Sequence, residues 1–299
     1  MKKNRATIPF LIAALFLLLA ACSASRSAEE LPAEPDPELY YATDGDIFYP
    51  QQYIPYATDG NVDTAEFSVV HVKTVDELLH AIAPETVILL ADGEYNLSAA
   101  SPDFFDYCYF RPATYPEVGE HTLVLSNLWD CVIASESGES GAVRILATPR
   151  TVPVLTLENS YALQLRGLTV GHTQSTDACS AEVIALENSG SVYMEGCELF
   201  GCGSTGVRAS GCYGITLRDT LIRDCSAGGA SFAVCESVML DGVTLRNTGA
   251  FQPLSLQECS YISAQNCSIE ENLSENFLLA SCSDHLFFND CSFRNNRFS

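Results

Sequence analysis

From Thr151 onward the chain alternates apolar and polar residues in short runs that return with a nearly fixed period. Six runs superimpose: LQLRGLTV, VYMEGCEL, ITLRDTLI, VMLDGVTL, ISAQNCSI and LFFNDCSF, beginning at Leu163, Val192, Ile215, Val238, Ile262 and Leu286. The steps between them are 29, 23, 23, 24 and 24 residues, so one spacer is longer than the rest. Leu165, Met194, Leu217, Leu240, Ala264 and Phe288 follow two residues later, on the same face of a strand. Then comes a turn column of Gly167, Gly196, Asp219, Gly242, Asn266 and Asp290, residue types that tolerate a left-handed backbone. A second strand starts inward at Leu168, Cys197, Thr220, Val243, Cys267 and Cys291 and continues at Val170, Leu199, Ile222, Leu245, Ile269 and Phe293. Upstream, Leu157, Leu186, Ala209, Phe232 and Leu256 mark a third.

Three short strands per repeat predict an all-β chain folded as a parallel β-helix, because no single coil can bury its own apolar face. Leucine-rich repeats have a similar period. They require an L-x-x-L-x-L-x-x-N pattern with a helical second half, whereas these units are β-branched, aromatic and turn-rich throughout.

Ahead of the repeats lies HVKTVDELLHAIAPETVILLADGEYNLS. Thr74 and Glu77 form a capping box, Val75, Leu78, Leu79 and Ile82 share one helical face, and Pro84 stops the helix. Val87–Leu90 is expected to resume as strand before the Asp92-Gly93 turn. Such a short helix would cap the open N-terminal end of the core, as repeat arrays require. Asp103–Glu120, with Pro112, Pro116 and Cys108, is expected to be a long loop packed on the side. Thr122–Val132 and Ala142–Leu146 are expected to be early coils. At the other end Leu286, Phe288 and Phe293 would lie in the last rung, with only Phe298 to fold over them, so end-to-end self-association at the C-terminal coil is a further expectation.

The first residues carry an address. Lys2, Lys3 and Arg5 precede the apolar run Ile8–Ala21, a secretory signal too short to span a membrane comfortably. It ends in Leu19-Ala20-Ala21-Cys22, which resembles a bacterial lipoprotein box. That resemblance implies cleavage before Cys22 and lipid attachment there, hence an extracytoplasmic protein held to the membrane. The expected division is a signal peptide over 1–21, a Ser/Ala/Pro/Glu-rich tether over 22–38, an extended Tyr-rich segment over 39–66 and the β-helix over 67–299. The tyrosine-rich segment holds a near-duplication, Tyr41-Ala-Thr-Asp-Gly-Asp46 and Tyr56-Ala-Thr-Asp-Gly-Asn61. Asp59, Asn61 and Asp63 alternate as in a calcium loop, but the Gly and distal Glu of an EF-hand are missing, and a D-G turn is the simpler reading.

The formal charge of −23, without a basic stripe, argues against nucleic acid as a partner and against polyanions unless divalent cations mediate. Thirteen cysteines in an exported chain would suggest disulfides. Here they fall in register, with Cys212, Cys235, Cys259 and Cys282 in one column and Cys202 and Cys225 in another. One rung separates Cβ atoms by about 4.8 Å, beyond disulfide range, so the reading is a ladder of buried free thiols.

Over roughly Phe67–Ser299 the chain resembles bacterial right-handed β-helix proteins of the pectin-lyase-like superfamily. The stretch Gly167-Leu-Thr-Val-Gly-His172-Thr, then Cys179, then Cys197-Glu-Leu-Phe-Gly-Cys-Gly203, is similar to a lipoprotein subgroup without an assigned function. That superfamily hosts lyases, glycosidases, esterases and adhesins, so fold decides nothing about activity. The paired aspartates, G-H-G and R-I-K of polygalacturonase-type hydrolases are missing; only Gly171-His172-Thr173 remains. The W-I-D-H and R-x-P-x-x-R patterns of one pectate lyase group are missing too. Lyases that use calcium with acidic ligands and an Arg or Lys base have no fixed local motif and stay open.

Two places are candidate sites. The long spacer holds His172, Asp177, Cys179 and Glu182, which could bind zinc or serve acid–base roles, though their spacing matches no standard zinc motif. The bland reading is that His172 hydrogen-bonds the turn and Cys179 tucks inside. The second place is an edge stripe of Arg223-Asp224, Arg246-Asn247, Glu270-Glu271 and Arg294-Asn295, which would suit a sugar chain lying along the helix. Solvated ion pairs are the alternative. Tyr193 and Phe287 are outward aromatics offering isolated stacking positions. The functional expectation is a membrane-anchored protein that binds polysaccharide, with two alternatives: a polysaccharide lyase or glycosidase, which would bring in calcium as cofactor if a lyase, and an adhesion or spacer protein.

Overall fold

Residues held at positive φ set the corners of every coil. The turn column takes φ of 64° at Gly167, 60° at Gly196, 46° at Asp219, 66° at Gly242, 55° at Asn266 and 49° at Asp290. The computed structural model describes residues 64, 66–100, 109–115, 120–148, 151–173, 179–201, 203–249, 251–274 and 276–298. The signal, Cys22, the tether, all but two residues of the Tyr-rich segment, Cys108, Asp177 and Cys202 lie outside the described residues.

Between the corners the strands stack into three sheets of 9, 8 and 8 strands. One coil runs from the third sheet (Thr205–Ser210) to the first (Tyr213–Arg218) to the second (Leu221–Arg223), and each strand pairs in parallel with its counterpart a coil away. The architecture is a parallel β-helix. Inward columns named from the repeat are in register within the strands: Met194, Leu217, Leu240 and Ala264 are successive partners, as are Leu186, Ala209, Phe232 and Leu256. All eight are 3% exposed or less.

The entrance follows its sequence signals. Helix α1, Val75–Ala81, starts at Thr74, whose Oγ1 accepts from the Glu77 amide at 3.2 Å. The Glu77 carboxylate accepts in return from the Lys73 amide at 2.6 Å, one residue earlier than the capping box expects. Leu78, Leu79 and Ile82 join the core. Buried Tyr95 ties the entrance together, its hydroxyl 2.9 Å from the carbonyls of both Val72 and Ala91.

Three expectations are corrected. Phe110–Tyr115, expected as loop, is a strand antiparallel to Glu120–Ser126 at the sheet edge, where a proline without an amide hydrogen is tolerated. Tyr193, expected to stand outward, is 2% exposed because Arg166 and Arg218 lie over its ring at 5.1 and 5.9 Å. Cys282, expected as a buried thiol, is exposed in the last coil. Cys212, Cys235 and Cys259 do form a buried file of free thiols. In that last coil Phe287, Phe288 and Phe293 are 49%, 38% and 47% exposed. Phe277 packs edge-on against Phe288 and Phe293, while the Phe298 side chain lies outside the described set.

Candidate functional site

The edge stripe is assembled as expected and is half structural. Arg223, Arg246, Glu270 and Arg294 are register partners on the second sheet. Their neighbours Asp224, Asn247, Glu271 and Asn295 occupy the following corner at φ of 57°, 50°, 58° and 53°. Asp and Asn are favoured there because their short side chains tolerate the left-handed region. Arg223 is committed: its guanidinium bonds Glu198 at 2.6 Å, bonds Asp224, and lies 5.0 Å over the Phe200 ring. Asn247 donates to Asp224 at 2.5 Å. Arg246 is half-buried and has no ion-pair partner among the described residues.

Just beyond this corner lies an inward polar file that the repeat, read as alternating apolar columns, does not predict. Asn272, 1% exposed, accepts from the Thr248 amide and hydroxyl, both at 2.9 Å. It donates to Leu245 O and Asn296 Oδ1, each at 3.0 Å.

The long spacer brings His172 and Cys179 together and leaves Glu182 elsewhere. His172 is 2% exposed, with Nε2 3.0 Å from Val152 O and Nδ1 3.8 Å from Cys179 Sγ. Donation from Nε2–H to the carbonyl leaves Nδ1 free to accept from the thiol. Glu182 pairs with Arg208 at 2.9 Å. Backbone packs tightly here: a Cβ on Gly203 would stand 1.2 Å from Cys179 O. Among the described residues no group of three or more His, Cys, Asp or Glu could hold a metal.

Burial raises the Cys179 thiol, but its contacts with His172 and with nearby backbone outweigh burial and bring the thiol down to about 7. The thiolate therefore forms as pH rises through about 7. Peptide-resolved alkylation of Cys179 should rise to a plateau just above that pH, and His172→Ala should move the midpoint up toward the ordinary thiol value of about 8.5. A wild-type midpoint already in the ordinary range would contradict the pairing.

The opposite corner carries an aromatic file. Trp129, Tyr161, Gly190, Tyr213 and Glu236 are successive register partners at the start of the first-sheet strands. Trp129 and Tyr161 are each 44% exposed and Tyr213 36%. Tyr109 meets Trp129 edge-on at 5.7 Å, and the Tyr161 and Tyr213 rings are 6.1 Å apart at 38°. Two residues before the file, Asn127, Asn159 and Asn188 form an exposed corner column at φ of 54°, 49° and 48°. The side-chain amides of Asn159 and Asn188 have no hydrogen-bond partner among the described residues. The signal that finds this site is the Asn-x-aromatic spacing in Asn127-Leu-Trp129 and Asn159-Ser-Tyr161, interrupted at Gly190.

Residues 155–299 match a family model described as a right handed beta helix region. No curated protein matches the chain. Among solved structures, the alginate lyase from Paenibacillus sp. str. FPU-7 is 15% identical with a TM-score of 0.48, covering 77% of this chain and 75% of that one. A pectate lyase from Paenibacillus sp. 0602 is 9% identical with a TM-score of 0.41, over 80% and 84%. A pectin methylesterase in complex with a hexasaccharide is 11% identical with a TM-score of 0.42, over 77% and 92%. The fold of this chain is a right-handed parallel β-helix.

Proposed function

We propose that this protein is a membrane-anchored, extracytoplasmic β-helix that binds a polysaccharide chain along its coils without cleaving it. The observation that carries the binding is the exposed file Trp129, Tyr161 and Tyr213 bordered by unengaged asparagine amides. A flat apolar ring beside hydrogen-bonding amides matches a pyranose, which presents a face of C–H bonds and a rim of hydroxyls. Exposed aromatic surface of this kind marks interaction sites.

Several carboxylates along the coils are engaged with arginines: Glu182 and Glu187 with Arg208, Glu195 with Arg166, Glu198 with Arg223, and Asp241 with Arg218. Carboxylates tied up in ion pairs with arginine are poorly placed to reach a substrate as general acids. The edge stripe at Arg246 and Asn247 remains a second place for sugar contact.

A polysaccharide panel, with and without calcium, tests the reading. Saturable binding without new reducing or unsaturated ends is expected. Turnover would make the protein a lyase or glycosidase, and absence of binding throughout would favour a spacer. The anchor is tested separately: Cys22→Ser should leave the precursor unprocessed and unlipidated, and unchanged detergent partitioning of that variant would reject it.

A further inference from the structure

We infer that the aromatic face takes a neutral pyranose chain lying along the coil axis and rejects polyuronates, with Gly190 and Tyr213 completing the platform; this rests on the polysaccharide reading above. The first argument is charge. The file and the two corner columns beside it contain no Lys or Arg over the coils from Trp129 to Glu236. Glu236 continues the file, and Glu85 and Asp130 stand beside Trp129, close enough for each charge to act on the other. Arg208, which bonds Glu187 beside Asn188, is held by Glu182 and Glu187. A carboxylate-bearing chain would meet like charge at both ends of the track and no cation between them, whereas neutral hydroxyls can donate to these carboxylates.

The second argument is shape. Gly190 is the member of the file without a side chain, and the Tyr213 ring occupies the space it leaves: a Cβ there would come within 2.4 Å of the ring. Tyr213 thereby leans back across one rung toward Tyr161. Neighbouring rungs stand about 4.8 Å apart, so the three rungs from Trp129 to Tyr213 span about 14 Å of backbone, and the Tyr213 ring, leaning back to 6.1 Å from Tyr161, closes the gap at Gly190. The adjoining corner column is small at Ala162, Ser191 and Gly214.

Isothermal titration with cello-, xylo- and mannohexaose, against oligogalacturonate and oligoalginate of equal length, tests this at low salt without calcium. At least one neutral hexasaccharide should bind, and the acidic oligomers should neither bind nor compete. Tyr213→Ala and Gly190→Ala should each weaken the neutral ligand about tenfold, the loss typical of a central aromatic contact, with the melting curve of Tyr213→Ala unchanged. Acidic oligomers binding better than neutral ones, or neutral binding indifferent to Tyr213→Ala, overturns the inference. If acidic oligomers bind in a manner sensitive to Arg246→Ala, the polysaccharide reading stands and this one falls. If no glycan of either kind binds, both fall.

Discussion

Leu217→Asp should abolish the folded domain. Leu217 is 0% exposed and stacks between Met194 and Leu240 in the first sheet. Removing a buried leucine side chain costs about 2–5 kcal/mol. Placing a carboxyl without a partner in its place adds about 1–3 kcal/mol even when it is protonated. The sum rivals the entire stability of an ordinary domain, about 5–15 kcal/mol. A coil contacts only its neighbours, so a break at this rung also uncovers the flat ends of the coils on either side. Circular dichroism and size-exclusion chromatography should show loss of strand signal and aggregation. Leu217→Met, which conserves volume, should stay within about 1.5 kcal/mol of wild type. A soluble Leu217→Asp protein with a normal melt would contradict the stacked core.

Asn272→Ala should cost about 3 kcal/mol or more. Its side chain satisfies the Thr248 amide and hydroxyl, Leu245 O and Asn296, all inside the corner. Each buried group left without a partner costs about 1–3 kcal/mol. Urea unfolding should give a lower midpoint with an unchanged slope, the signature of lost stability rather than altered compactness. Asn296→Ala should cost less, because Asn296 is only half-buried. Equal and small effects for the two would mean that water replaces the ladder.

The inward columns were legible because a parallel solenoid repeats the same apolar position in every coil; Leu217 and Leu240 could be paired by counting alone. The corners were legible for the same reason, since Gly, Asn and Asp are the residues that tolerate a left-handed backbone. Three kinds of feature were not. Phe110–Tyr115 pairs antiparallel outside the period, so no count reaches it. Asn272 puts into the interior a polarity that is satisfied across coils, which is visible only once Thr248 and Asn296 stand above and below it. The aromatic file lies two residues upstream of the aligned segments, and Gly190 breaks it, so its columns show neither one composition nor one spacing. For the edge stripe, adjacency followed from the sequence, but the commitment of Arg223 to Glu198 and Phe200 did not, because both partners belong to the preceding coil.

The chain contains a single tryptophan, Trp129, and it sits on the proposed glycan track. Its emission therefore reports contact at that face and nowhere else. Titrating the lipid-free protein with the neutral glycan panel should produce a saturable change in Trp129 emission, shifted to shorter wavelength as a sugar ring displaces water from the indole. The change should share its midpoint with calorimetric binding, and that midpoint should move about tenfold higher in Tyr213→Ala. Tight binding by calorimetry with an unaltered Trp129 spectrum would contradict the account, because the glycan would then lie on another face of the β-helix.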